Sequence, residues 1–258
     1  MTNAYQNIKF SIDDRVARIT FDRPPLNIFN IAMMREIGHA LDDCVSHRDL
    51  AAVVFAAAPG TSAFSAGVAV EEHVDETVYQ MLDSFHDIFR TLEQLAKPAI
   101  AVVDDPALGG GCEMVAACDI VIATDRARFG QPEIKLGVFP PVAAILLPRI
   151  IGEKRARELI FTGDLIDATT ALQLGLVNYV VPGAELERKT QEILDKLREL
   201  SSVALEMARR AMDLGAASFD STLAGVENLY LHELMRSEDA REGVKAFMEK
   251  RKAEWRNR

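Results

Sequence analysis

The chain has little to cross-link with. Only three of its 258 residues are cysteine (Cys44, Cys112, Cys118). An odd number with no CxxC pair excludes a disulfide framework and predicts reduced thiols. Histidine is also scarce, with five residues (His39, His47, His73, His86, His232) scattered along the chain. They lack ligand spacing to cysteine or carboxylate, so no metal site is expected, and each reads as a helix-surface or interface residue. Positive charge is in deficit: 29 Lys and Arg against 39 Asp and Glu give a net charge of −10. With no dense basic run, a surface built for nucleic acid or membrane is excluded, although a local basic pocket for an anionic ligand is not. No apolar run approaches the ~18 residues of a membrane span. The start, MTNAYQNIKFSIDD, has neither the basic nor the apolar region of a secretory signal, so a cytoplasmic protein is expected.

What is present is apolar sequence in short pieces. Hydrophobic residues make up 49% of the chain, enough for one sizeable core. NIKFSIDDRVARITFD reads as two short strands about an Asp13–Asp14 turn, with Ala17, Ile19 and Phe21 on one face. RPPLN breaks the chain. Met34, Ile37 and Leu41 recur at helical spacing, predicting a helix from Ile31 to about Val45. AAVVFAA (51–57) and AIAVV (99–103) are continuous apolar runs, as expected of strands covered on both faces. Between them a stripe of Met81, Phe85, Ile88 and Leu92 predicts a helix over roughly 76–95 that ends at Lys97–Pro98. DIVIAT reads as a further strand. Beyond PEIKLGVFPP the chain reads as helical, with one short strand in GLVNYVVPG. The alternation predicts an α/β fold with parallel strands and an appended helical region.

Three loops beside these strands carry candidate chemistry. FSAG (64–67) follows the 51–57 strand; its small residues admit a ligand to the backbone, and Gly67 can turn the Val68 N–H outward. In isolation it reads as an ordinary surface turn. ALGGGCE (107–113) places three glycines at a helix start, where bare N–H groups face an incoming oxygen. The glycines do not spell a dinucleotide fingerprint. Glu113 then lies three residues into an apolar helix. FGQPEIKLG (129–137) puts Glu133 beside Pro132 in a first helical turn, where a glutamate usually serves the helix dipole. Together the loops combine two candidate oxyanion donors with two carboxylates, the equipment for chemistry next to a carbonyl through an enolate.

The opening RITFDRPPLN, then FSAG, ALGGGCE, CDIVIAT, FGQPEIKLG, TGDLIDATTALQLGLVNYVV and the tail GVKAFMEKRKAEW, in this order over nearly the whole chain, resemble the crotonase (enoyl-CoA hydratase/isomerase) superfamily. The resemblance implies a crotonase-type spiral of ββα turns. Residues 1–195 would form the spiral catalytic core and 196–258 a C-terminal helical trimerisation region, assembled as a homotrimer or a dimer of trimers. It implies an acyl-CoA substrate and no separate cofactor, the coenzyme being part of the substrate. By motif position, the Val68 and Gly110 N–H groups would hold the thioester oxygen, with Gly109 and Gly111 letting the thioester approach. Glu113 and Glu133 would activate a water and return a proton to the α-carbon. Leu26 and Ala66 would lie along the adenine and pantetheine path, and Phe247 and Lys250 would close over the coenzyme, with Lys250 at its phosphates.

The chain also departs from the family pattern. VAVEE follows FSAG where ADIKE is common, so Ala69 and Glu71 stand in for an aspartate and a lysine, and phosphate neutralisation falls to Lys250 or Arg23. Pro106 stiffens the approach to the glycines. After Glu133, GVFPPVAAILLP replaces a glycine-rich stretch, so Phe139, Pro140, Pro141 and Val142 are expected to form a bulky apolar acyl pocket. PPLNI with KLGVFPPVAA is similar to the cyclohexa-1,5-diene-1-carbonyl-CoA hydratases of anaerobic benzoyl-CoA degradation, which form 6-hydroxycyclohex-1-ene-1-carbonyl-CoA. The expected activity is therefore hydration or dehydration of a conjugated enoyl thioester. A general short-chain enoyl-CoA hydratase or isomerase is the alternative, and a catalytically silent crotonase-fold binding protein the alternative of another class.

Overall fold

The computed structural model describes residues 5–214 and 219–254; Trp255, at the end of the tail motif, lies outside the described residues. Strands β1 (Ile8–Asp13) and β2 (Val16–Phe21) form an antiparallel hairpin. Asp14 and Arg15 turn it at positive φ (42° and 63°). Strands β3 (Ala52–Ala57), β4 (Ala99–Val103), β6 (Ile120–Thr124) and β9 (Tyr179–Val181) extend it in parallel to a six-stranded sheet, order β1-β2-β3-β4-β6-β9. Helices α1 (Ile31–Ser46) and α2 (Val78–Leu95) connect the early strands. The side chain of Asn30 caps α1 by accepting the Met33 N–H, and α2 ends at Ala96 in a left-handed conformation.

The unbroken apolar runs follow from this layering. On one sheet face Val53, Phe55, Ala99, Ala101 and Val103 join the α1 and α2 stripes in the main core. On the other, Val16, Val54, Ile100, Val102 and Ile122 pack with Ile193 and Leu194 of α7 (Leu186–Arg198). A strand covered on both sides has no need of polar alternation.

A second, three-stranded sheet joins β5 (Ala107–Leu108), β7 (Arg128–Gly130) and β8 (Leu165–Asp167). These strands, of two or three residues, are too short to show a period of two. The segment beyond PEIKLGVFPP, expected to hold one strand, therefore holds two, β8 and β9. Before β8 run α4 (Pro141–Ile151) and α5 (Glu153–Thr162), between β8 and β9 runs α6 (Ala168–Leu174), and after β9 and α7 run α8 (Ser202–Leu214), α9 (Phe219–Asn228) and α10 (Glu238–Met248). Leu223, Tyr230, Met235 and Ala240 of the last third are buried in the main core. This is the expected α/β architecture, with α9 of the helical C-terminal part packed on α4. No helix among the described residues is long and apolar enough to cross a membrane.

Candidate active site

The PPLN loop and FSAG are tied together by one buried side chain. Asn27 accepts the Arg23 N–H (2.9 Å) and donates to the Ala63 carbonyl (2.9 Å), while Ser65 Oγ donates to the Asn27 carbonyl (2.7 Å) and accepts the Gly67 N–H (3.1 Å). The short sheet then brings the glycine run to the same place. Leu108 N–H donates to the Ser65 carbonyl, and Gly109 N–H to the Gly130 carbonyl, both at 2.9 Å.

The Gly67–Val68 segment consequently lies beside Gly110, which is itself outside the cavity lining. Gly67 has φ +104°, and a Cβ there would lie 3.6 Å from Gly110 N; a Cβ on Gly110 would lie 2.9 Å from Val68 Cγ2. Gly110 opens α3 (Gly110–Ala117), in the first turn where N–H groups have no intrahelical acceptor. The flanking glycines also have close protein neighbours. A Cβ on Gly109 would collide with Glu133 Oε1, and one on Gly111 with the Ser65 carbonyl oxygen. Three glycines in a row are thus three separate close approaches.

Both glutamates line the same cavity, Glu113 buried and Glu133 half-buried. Glu113 Oε1 accepts two N–H bonds, from Val142 and Ala143, each at 2.8 Å. These donors open α4; Pro140 and Pro141 before them have no N–H to offer, so the first free donors of the helix converge on one oxygen. Burial pushes the Glu113 carboxyl up to about 7, and the two N–H bonds oppose the rise. Glu133 lies in the 3₁₀ turn Pro132–Leu136, and its Oε2 is buried without a hydrogen-bond partner. Burial first, then the charge of Glu113, holds its pKa well above the usual carboxylate range.

The cavity encloses ≈ 550 Å³ of space including its open mouth. Ala66, Gly67 and Val68 line it together with both glutamates, Phe139, Pro140 and Pro141. Val142 is not in the wall: its side chain is fully buried in the core, and it serves the site through its N–H. Leu26 is exposed and accepts the Ala66 N–H with its carbonyl (2.9 Å). Arg23 donates to the carbonyl of Ile28 (3.0 Å), within its own loop. Phe247 and Lys250 are exposed at the end of α10 and outside the cavity lining. Ala69 is buried, and Glu71 is exposed.

Sequence reasoning missed several further wall residues, among them His73, Phe85 and Tyr230. His73, expected on a helix surface or at an interface, is buried and lines the cavity; Nδ1 meets the Ala69 carbonyl at 3.0 Å, and burial lowers its pKa. Phe85 was read only as part of a packing stripe. Tyr230 comes from the distant C-terminal part, and no local signal marked it.

A family model described as enoyl-CoA hydratase/isomerase matches residues 11–258. A cyclohexa-1,5-dienecarbonyl-CoA hydratase of Thauera aromatica is 38% identical over 95% of this chain and 95% of its own length. A short-chain-enoyl-CoA hydratase of Clostridium acetobutylicum is 35% identical over 96% of this chain and 97% of its own. The crystal structure of an enoyl-CoA hydratase from Mycobacterium avium subsp. paratuberculosis K-10 superposes with TM-score 0.87 at 25% identity, covering 98% of this chain and 99% of that one. The chain belongs to the enoyl-CoA hydratase/isomerase family, its relatives are named enoyl-CoA hydratases, and it is an enzyme of the hydratase type.

Proposed function

We propose that the protein adds water to, or removes it from, a conjugated enoyl-CoA, with cyclohexa-1,5-diene-1-carbonyl-CoA as its substrate in anaerobic benzoyl-CoA degradation in the cytoplasm. The observation that carries the reading is the pair of carboxylates facing one cavity beside the Val68 and Gly110 backbones. The thioester oxygen would accept from those two N–H groups, which stabilise it as it becomes negative. Glu113 takes a proton from water as the water oxygen bonds to carbon. The C=C electrons move into the enolate, and Glu133 gives its proton to carbon: the α-carbon of a straight-chain enoyl thioester, or the far end of the conjugated diene in the ring substrate, which leaves the ring C=C at the α-carbon of the 6-hydroxycyclohex-1-ene product. The asymmetry supports this division. Two N–H donors hold Glu113 ready to ionise, whereas Glu133 has an unpartnered buried oxygen that favours the neutral form. No separate cofactor enters.

The ring substrate is supported by the Thauera relative and by the wall, in which Phe85, Phe139, Pro140, Pro141 and Tyr230 put flat, stiff groups around the acyl space. Comparing kcat/KM for cyclohexadienoyl-CoA and crotonyl-CoA tests it, with the ring thioester expected to win. A strong preference for crotonyl-CoA would establish the straight-chain hydratase instead, and steep salt-dependent RNA binding without hydration the silent binding protein. A homotrimer or dimer of trimers is part of the proposal, supported by the exposed Val203, Met207 and Met212 on α8.

The reaction needs one carboxylate ionised and one protonated. Both are raised, Glu113 to about 7 by burial and Glu133 well above the usual carboxylate range by burial and the charge of Glu113, so ionising one opposes ionising the other. The turnover rate is therefore expected to rise through neutrality as the first proton leaves and to fall at higher pH as the second proton leaves, the two limbs belonging to the pair. Steady-state rates from about pH 5 to about pH 10 check this; a flat profile contradicts the assignment.

A further inference from the structure

Tyr230 reaches the cavity from the last third of the chain, and the fold goes to some length to put it there. Helix α9 passes into a π-helical turn, Leu229–Glu233, a local widening common at functional sites. Just before it, Glu227 is anchored on α2: its Oε1 lies 2.7 Å from Nδ1 of the fully buried His86 and 2.8 Å from Nη2 of Arg90. Phe85, beside His86, is itself a cavity residue, so one anchor sets two parts of the wall. The Tyr230 ring stacks edge-on against Phe139, with centroids 5.2 Å apart and planes at 72°, and is only 1% exposed.

A phenylalanine would serve the stacking equally well. A buried tyrosine normally gives its O–H a polar partner, and the polar groups around this cavity include the two carboxylates. Burial, then the charge of Glu133, then that of Glu113, push the phenol pKa up, so the hydroxyl keeps its proton. It cannot act as a base, but it can hold a hydrogen bond.

We infer that the Tyr230 hydroxyl is the third contact of the water that adds to the substrate, an inference that rests on the hydratase reading. Of the two water protons, one passes to Glu113. The other stays on oxygen and becomes the hydroxyl hydrogen of the product. That proton needs an acceptor that orients it without removing it. The phenol oxygen, neutral and set in a rigid aromatic pair beside the carboxylates, meets the requirement. With both protons held, a lone pair of the water is left to face the double bond. No bond to Tyr230 forms or breaks, and the atoms balance as in hydration without it.

The test uses Tyr230→Phe, which keeps the ring and its stacking, and two assays on the full-length protein. Hydration of enoyl-CoA, measured with both crotonyl-CoA and cyclohexadienoyl-CoA, needs the water. Exchange of the α-proton of butyryl-CoA in deuterated water needs the enolate-holding N–H groups and Glu133, but no water between the carboxylates. The kcat for hydration is expected to fall about 10- to 100-fold, the range of one lost hydrogen bond to a reacting group, with KM nearly unchanged. Exchange should stay within about threefold of wild type, less than half a tenfold step in barrier terms. Equal losses in both assays would reduce Tyr230 to a packing residue, and undiminished hydration would remove it from the reaction. Wild-type protein that hydrates neither thioester would overturn the hydratase reading and this inference with it.

Discussion

Replacing Glu113 or Glu133 by glutamine is expected to lower kcat for hydration by about 10²- to 10⁴-fold each, the usual contribution of a positioned acid or base. Glutamine keeps the size of the side chain. At position 113 its carbonyl oxygen can still accept the Val142 and Ala143 N–H groups, so the cavity should keep its shape while losing the ability to take a proton. At position 133 the group that donates the proton to carbon is lost. KM should change little, because neither substitution removes a contact to the coenzyme, and an interaction used only in the transition state appears in kcat. The double substitution should cost far less than the product of the single ones, since the two groups act on one water. Steady-state kinetics on purified variants decides the matter. Rates near wild type in either single variant would sink the two-carboxylate scheme.

Gly111→Ala should be the most damaging single methyl group in the site. The added carbon would collide with the Ser65 carbonyl oxygen and come within 2.8 Å of Ser65 Cβ and 3.1 Å of Ser65 C. None of these is the free end of a flexible side chain. Ser65 is also fixed by Leu108, Asn27 and Gly67, so its displacement pushes the Gly67–Val68 peptide away from Gly110. Overpacking of this kind costs about 1–3 kcal/mol, to be seen as a lowered unfolding temperature. A lost oxyanion donor costs about 10²- to 10³-fold in rate. Gly110→Ala, next in the chain, meets only the side-chain atoms Val68 Cγ2 and Phe85 Cζ, which can shift, and should be milder. Thermal melts and hydration rates on both variants test the contrast. Equal behaviour of the two would refute the idea that backbone crowding sets the effect.

Much of this site was legible in the order of residues, because its parts are local. FSAG, the glycine run and Glu133 each sit beside a strand or helix start, and the apolar runs that place them announce themselves as buried strands. The missed parts are those in which one residue serves two purposes. Val142 reads as pocket wall from its side chain, yet acts through its backbone. Gly109 and Gly111 read as room for a ligand, and also make room for Glu133 and Ser65. His73 looks like any helix-surface histidine until the loop after FSAG folds it inward. Tyr230 is far along the chain from both carboxylates, and the packing of α9 on α4 with the Glu227 anchor on α2 brings it to them. Strands β5, β7 and β8 were invisible for want of length, although β5 and β7 align the glycine run with FSAG and Glu133.

The stretch from Phe139 to Ala143 has a consequence for how such a protein can diverge. Its first three residues shape the acyl space, and its last two supply the N–H groups that hold Glu113. Selectivity and basicity are therefore written into the same five positions. A substitution that opens the pocket by relaxing Pro140 or Pro141 also loosens the start of α4, and with it the grip on the carboxylate. New acyl specificities are reached more freely from the opposite wall, through Met81, Leu82 or Phe85, where a side chain can change size without touching the atoms that tune the base.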